Sequence, residues 1–183
     1  AVLPAVARQM DHLVAHFQPV SLDAMLAGLR GQQPLPERAV HVTFDDGFTG
    51  VLEPAAPMLA ARRIPATRYA VSGRIGGHND WMARRGFPER PLMSAAQLRE
   101  LESMGFEIGS HTCTHPRLTE LDGERRLAEM IDSAAALKSR LGAAPAIFCY
   151  PYGDIDGQVI ADARASGYAA AVVTTSLAGV PSG

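Results

Sequence analysis

Apolar residues recur along this chain at a few spacings, and each spacing predicts a kind of element. In residues 4–17, Val6, Met10, Leu13, Val14 and Phe17 make one stripe at mostly three- and four-residue steps, the signature of a helix that Pro19 ends. Ser21 reads as the N-cap of a second helix, striped by Leu22, Met25, Leu26 and Leu29, and residues 31–37, with two prolines, read as a loop. Short unbroken apolar runs predict buried strands at 39–44, 66–72, 106–110, 146–150 and 168–173. Helical stretches alternate with them. Residues 52–63 carry Pro54 in the first turn, where a missing N–H does little harm, while Pro57 lies deep enough to delay or bend that helix. Ser94, with Gln97 three residues on, starts a helix that Gly105 closes. Residues 122–141 present Leu127, Met130, Ile131, Ala134 and Leu137 and stop at Gly142, and 158–166 form one more helix. Residues 73–91 stay irregular, a length that usually signals a functional loop, and 174–183 read as loop.

Strands that alternate with helices, each strand a continuous apolar run, predict an α/β fold with a parallel sheet and helices outside it. Polar groups gathered at strand ends favour a (β/α) barrel over an open doubly wound sheet, because barrel chemistry sits at the C-terminal rim. A complete eight-stranded barrel needs about 250 residues. The 183 residues therefore imply one domain, 1–183, that is a smaller or incomplete barrel.

Composition narrows the function classes. Hydrophobic residues make up 47% and charged residues 20%, and the net charge of −2 leaves no basic footprint for nucleic acid. No apolar run approaches the length of a transmembrane span, and Ala1-Val2-Leu3-Pro4 does not open a signal peptide. Two cysteines, Cys113 and Cys149, cannot build a disulfide framework and are read as free thiols, with Cys113 the candidate for an extra ligand.

Chemistry concentrates in three places. The strand at 39–44 runs into Asp45-Asp46-Gly47. Neighbours in an extended chain point to opposite sides, so the two carboxylates have different partners, and two acids this close favour a nearby cation. The alternative is a plain Asp-Gly surface turn. Next, His111-Thr112-Cys113-Thr114-His115 follows the third strand; one helical turn would bring both imidazoles to one side. With an aspartate from another strand end they make a two-histidine, one-carboxylate set with open positions for water and substrate. Third, Phe148-Cys149-Tyr150-Pro151-Tyr152-Gly153 ends the fourth strand. The long loop adds His78, Asp80 and Trp81, the last either a sugar-stacking platform or a loop anchor.

In order and spacing, Thr43-Phe44-Asp45-Asp46-Gly47, the His111–His115 motif and the Pro151-Tyr152-Gly153 corner resemble the polysaccharide deacetylases of carbohydrate esterase family 4, across roughly residues 9–175. The resemblance implies Asp46, His111 and His115 as metal ligands and Asp45 as general base for the attacking water. It implies that the Tyr152 backbone N–H faces the oxyanion. On the residues alone, Pro151 and Tyr152 either shape a substrate pocket, beside Trp81 as the stacking candidate, or only form a strand-end turn. The implied cofactor is a divalent ion, zinc before cobalt or another transition metal. The implied reaction is removal of N-acetyl groups from an N-acetylglucosamine-type polymer or oligomer, in an exported or cell-envelope setting. The implied fold is a distorted (β/α) barrel of about seven strands, which this chain would present incomplete at both ends, and carbohydrate is the implied partner.

Two departures stand out. Many members carry an arginine in the third motif that buttresses the catalytic aspartate; none lies around Cys149 and Tyr150, and Arg68 or Arg74 are the available substitutes. Members also often carry a C-terminal histidine as general acid, and the last histidine here is His115. His78 is the remaining loop candidate, while His41 reads as a core histidine and His12 and His16 as surface residues. The alternatives are therefore an amidase or imidase acting on a non-sugar substrate, or a glycan-binding domain that keeps the metal site.

Overall fold

The computed structural model describes residues 2–51 and 54–174. The predicted 174–183 loop lies outside it from residue 175 onward, as do residues 52 and 53 of the predicted third helix. The elements run α1 (Val2–His16), β1 (Gln18–Pro19), α2 (Leu22–Leu29), β2 (Ala39–Val40), β3 (Val42–Phe44), α3 (Ala55–Ala61), β4 (Ala66–Ala70), α4 (Ala95–Ser103), β5 (Glu107–Ser110), α5 (Gly123–Leu141), β6 (Ile147–Cys149), α6 (Gly157–Ala165) and β7 (Ala170–Val172). Local chemistry accounts for most of these bounds. Ser94 accepts from the Gln97 N–H and donates its own N–H to the Gln97 side chain, the reciprocal cap expected for α4. Asp122 caps α5 and Gly142 ends it in the left-handed conformation. The third helix starts late, at Ala55, with Pro54 at its cap.

Five strands form a parallel sheet in the sequential order β3-β4-β5-β6-β7. The predicted strand at 39–44 is broken at His41: its first half pairs with β1 and its second with β4. His41 fills the break, with Nδ1 2.8 Å from the Val20 carbonyl and Nε2 2.8 Å from Thr67 Oγ1, so it is a satisfied structural residue. In a flat sheet the outer strands of five would lie ~19 Å apart, at about 4.8 Å per spacing. Yet Asp45, just past β3, is within 3.4 Å of Thr174, just past β7. The sheet is therefore curled into an incomplete barrel whose edge strands approach each other at the C-terminal rim, and the open doubly wound alternative is excluded.

Inside the curl, Tyr69, Ile147 and Cys149 pack with Leu22 and Leu26 of α2, which plugs the barrel. Gly109 faces this interior: a Cβ there would lie 2.5 Å from the Tyr69 ring and 3.0 Å from Ile147. Outside, α1, α3 and α4 cover β4 through Met10, Leu59, Leu98 and Leu101, and α5 and α6 cover β6 through Met130, Val159 and Phe148. Polar ties fix the second layer. Arg126 of α5 binds Asp162 of α6, and the Tyr168 hydroxyl donates to the Met130 carbonyl and lies 2.8 Å from the Ser110 hydroxyl. These ties rotate α5, so Arg126, Met130, Ser133 and Leu137 are buried while Ile131, counted on its apolar stripe, is exposed. The stripe of the first helix is likewise incomplete, since Val14 is exposed and Phe17, exposed too, lies one residue past α1.

Candidate active site

Each chemical residue stands at a strand's C-terminal end, held by a turn. β3 delivers Asp45, then Asp46 turns into left-handed backbone with φ 72° and Gly47 follows at 92°. The Gly47 N–H donates to the Asp45 carbonyl at 3.0 Å, and its own carbonyl accepts from Met93 at 2.8 Å. The two carboxylates do diverge, but a left-handed turn separates them rather than the strand pleat. Aspartate tolerates that conformation better than most residues, at a cost of about 1 kcal/mol.

The histidine motif is not the helical turn that its spacing suggests. Thr112 and His115 both have positive φ, 65° and 63°, so the segment folds as a tight irregular turn. The His115 N–H donates to Thr112 Oγ1 at 3.0 Å. Glu129 of α5 gathers the rest: one carboxylate oxygen accepts the N–H groups of Cys113 and Thr114 at 2.8 and 2.9 Å, and the other accepts the Thr114 hydroxyl at 2.6 Å. On the far side, Gly73 donates its N–H to the Cys113 carbonyl, and a Cβ at Gly73 would stand 2.6 Å from that oxygen.

This turn aims both imidazoles at Asp46. His111 Nε2 is 3.4 Å and His115 Nε2 3.1 Å from Asp46 Oδ1, and the three donor atoms lie within 4.8 Å of one another. His111 Nδ1 is 2.8 Å from the Cys149 carbonyl, which selects the Nδ1–H tautomer. Both nitrogens of His111 thus face acceptors, although a neutral imidazole has one N–H. A cation between Nε2 and Asp46 satisfies that arrangement, so the donor set fits a divalent metal. Burial works against ionisation of Asp46, but hydrogen bonds and charge from His111 and His115 outweigh it and hold the carboxyl well below its usual range. Burial also lowers the pKa of His115, against the raising effect of Asp46, which favours the neutral, ligating imidazole. His115 is boxed in by rings. Trp81 stacks on it at 4.7 Å and 18°, and Tyr152 meets it edge-on at 4.6 Å.

Asp45 has a separate environment. Cys149 Sγ lies 3.7 Å from Oδ1 and Thr174 Oγ1 3.4 Å from Oδ2, both positioned to donate. Asp45, His111 and Cys149 also cluster within 4.8 Å. Burial first, then the neighbouring Asp45, push the Cys149 thiol far above its ordinary range, so it stays protonated and is a poor ligand beside the Asp46 set. Both cysteines are free, and Cys113 contacts Ser72 rather than Cys149.

Pro151–Gly153 turns at the end of β6, with Tyr152 at φ 61°. Arg117 lies over the Tyr152 ring at 4.7 Å and reaches Asp154 at 3.6 Å, which ties the second motif to the third. Two hollows flank the corner. One of about 530 Å³ is lined by Arg74, Trp81, Arg117 and Tyr152, the other of about 540 Å³ by Asp46, Phe48, Met82 and Phe87. A larger apolar hollow beside α1, about 610 Å³, contains none of these motif residues. Arg74 pairs with Asp80 at 2.7 Å. His78 is exposed where the chain bridges to Pro91, and His12 and His16 are exposed on α1. Among the described residues, the histidines of the site are therefore His111 and His115. The sequence reading missed Glu129, Thr174 and Arg117. Glu129 sits within a helical stripe pattern that treats it as solvated, and the others become relevant only through contacts across the rim.

Fold and corner together define a parallel β/α barrel with a candidate metal centre at its C-terminal rim. The chain belongs to the polysaccharide deacetylase family, whose profile matches residues 32–171. It is 28% identical to YxkH of Bacillus subtilis, covering 75% of this chain and 45% of that one. It is 27% identical to the poly-beta-1,6-N-acetyl-D-glucosamine N-deacetylase of Escherichia coli K12, covering 83% and 27%. The chain thus spans less than half the length of these two relatives. Among solved structures, IcaB from Ammonifex degensii superposes with a TM-score of 0.78 at 25% identity, over 91% of this chain and 73% of that one. The Streptococcus pyogenes deacetylase PplD shares the fold, with a TM-score of 0.79 at 21% identity over 94% and 72%.

Proposed function

We propose that this domain hydrolyses N-acetyl groups from an amino-sugar polymer or oligomer of the N-acetylglucosamine type, with zinc as its ion. The observation that carries the reading is the convergence of Asp46, His111 and His115 beside a second carboxylate, Asp45, that has its own partners. Membership of the polysaccharide deacetylase family supports it, as do relatives named for N-deacetylation of poly-beta-1,6-N-acetyl-D-glucosamine and of chitin.

Asp46, His111 and His115 would hold a divalent ion, which would supply Lewis-acid polarisation of the acetyl carbonyl and acidify the attacking water. The Asp45 carboxylate takes the proton from the attacking water. Cys149 and Thr174 orient it for that task. The Tyr152 backbone N–H faces the developing oxyanion, and Arg117 on the Tyr152 ring steadies that turn. Trp81 has one face committed to His115, so its edge and outer face border the substrate cleft together with Pro151 and Tyr152. The alternative reading is a glycan-binding domain that keeps the metal site.

Acetate release from chitin and poly-β-1,6-N-acetylglucosamine oligosaccharides, measured with zinc and with cobalt, tests the proposal. Asp45→Asn is expected to remove turnover and leave metal content near stoichiometric. A metal-loaded protein that binds these oligosaccharides and never releases acetate refutes deacetylation and supports the binding domain. Parallel loss of metal in Asp45→Asn would mean that the two aspartates have exchanged roles.

A further inference from the structure

Arg68 heads the fully buried side chains by volume, 1% exposed on β4. Most residues at such a position are apolar, because a buried guanidinium costs several kcal/mol unless it is paired. Its placement explains its presence. In sheet register Arg68 lies beside Phe44, the last strand residue before the two carboxylates. Its Nη2 donates at 3.0 Å to the carbonyl of Phe48, the second residue after them. The side chain thus spans the Asp45–Asp46 corner from its start to its end. Its Nε has no hydrogen-bond partner among the described residues, and no carboxylate there comes within ion-pair distance. Arg68 is therefore placed as a fixed charge behind the corner rather than as half of a salt bridge. Burial lowers its pKa to about 10, resisted by the negative charges of Asp46 and Asp45, so it is cationic at neutral pH.

We propose that Arg68 is an internal counter-cation for the Asp45–Asp46 corner: it balances the carboxylate pair and anchors the turn when no ion is bound, and it opposes the incoming ion, so that it sets metal affinity. The inference rests on Asp46, His111 and His115 being the metal ligands. Its two halves have opposite signs. Without an ion, removal of the guanidinium leaves adjacent like charges uncompensated and loosens the Phe48 turn. With an ion bound, the same removal deletes a like charge. At an effective dielectric of about 20, a unit charge several ångströms from a divalent ion alters its affinity by roughly a thousandfold before salt and solvent screening, so at least about tenfold is expected to survive. A role in packing alone predicts neither the opposition nor its sign.

The test compares wild type, Arg68→Met and Arg68→Lys by melting temperature with and without chelator, and by zinc affinity in chelator competition. Arg68→Met is expected to melt lower than wild type when metal-free, bind zinc at least about tenfold tighter, and gain more on zinc addition; Arg68→Lys, which keeps the charge, should stay near wild type. Unchanged or weaker zinc binding, with apo and loaded melting temperatures falling in parallel, overturns the proposal. Should Arg68→Met not fold without metal, adding Asp45→Asn to the same chain is expected to restore folding by removing the uncompensated charge, and failure to do so overturns it too. A wild type that takes up no zinc would instead overturn the ligand assignment, a result distinct from either.

Discussion

Replacing Glu129 by alanine removes one carboxylate that holds the histidine turn at three points: the N–H groups of Cys113 and Thr114 and the Thr114 hydroxyl. Bonds to a charged group contribute about 1.5–3 kcal/mol each when buried. Thr114 is exposed and Cys113 half-buried, so water replaces much of what is lost. The net cost is about 2 kcal/mol, which for a chain of this size lowers the melting temperature by roughly 4–8 °C. The functional effect is larger than the stability effect. His115 closes this turn in left-handed backbone, and its Nε2 must stay within reach of Asp46. Residues that orient metal ligands typically govern ten- to a hundredfold in affinity. Zinc competition with a chelator and urea denaturation of the metal-free protein separate the two effects. Glu129→Gln, which keeps an acceptor oxygen of the same reach, is expected to recover part of both losses. The reasoning is refuted if Glu129→Ala loses stability yet binds zinc like wild type, because the carboxylate would then brace the turn without positioning His115.

Two further predictions concern the barrel itself. His41 is the half-buried link between Val20 and Thr67, and burial lowers its pKa below the ordinary imidazole value of about 6.5, against the raising effect of the Val20 carbonyl. The unfolded chain therefore binds the proton more readily, so the His41 contribution is complete above about pH 6.5 and is lost as pH falls through the lower folded value. Urea midpoints measured from pH 8 to 5 should fall less steeply in His41→Gln than in wild type, and identical slopes would remove His41 as a source. Gly109→Ala places a methyl group 2.5 Å from the Tyr69 ring, which is fully buried and has nowhere to move. Overpacking of this kind costs about 1–3 kcal/mol, so a urea midpoint unchanged from wild type would mean that the interior is looser than its contacts indicate.

Sequence alone determined whatever is written in adjacent residues. Cap residues such as Ser94, Asp122 and Gly142 bounded α4 and α5, because a cap satisfies backbone groups within a few positions of itself. Alternation of apolar runs with helical stripes identified the parallel α/β class. Three short motifs put Asp45, Asp46, His111, His115 and Tyr152 at strand ends, where the structure finds them. Tertiary structure decided the rest. Whether the sheet stays open or curls depends on strand twist summed over five strands and on α2 filling the interior, and no local pattern encodes that sum. The curl brings Asp45 to Cys149, 104 residues away, and to Thr174, 129 residues away. It also decided how the motifs work. The four-residue histidine spacing suggests a helical turn, but Glu129 supplies acceptors for its N–H groups from another element and frees Thr112 and His115 to take left-handed backbone. Arg68 is one cation in an apolar run by sequence; only the register of β3 with β4 sets it behind the two carboxylates.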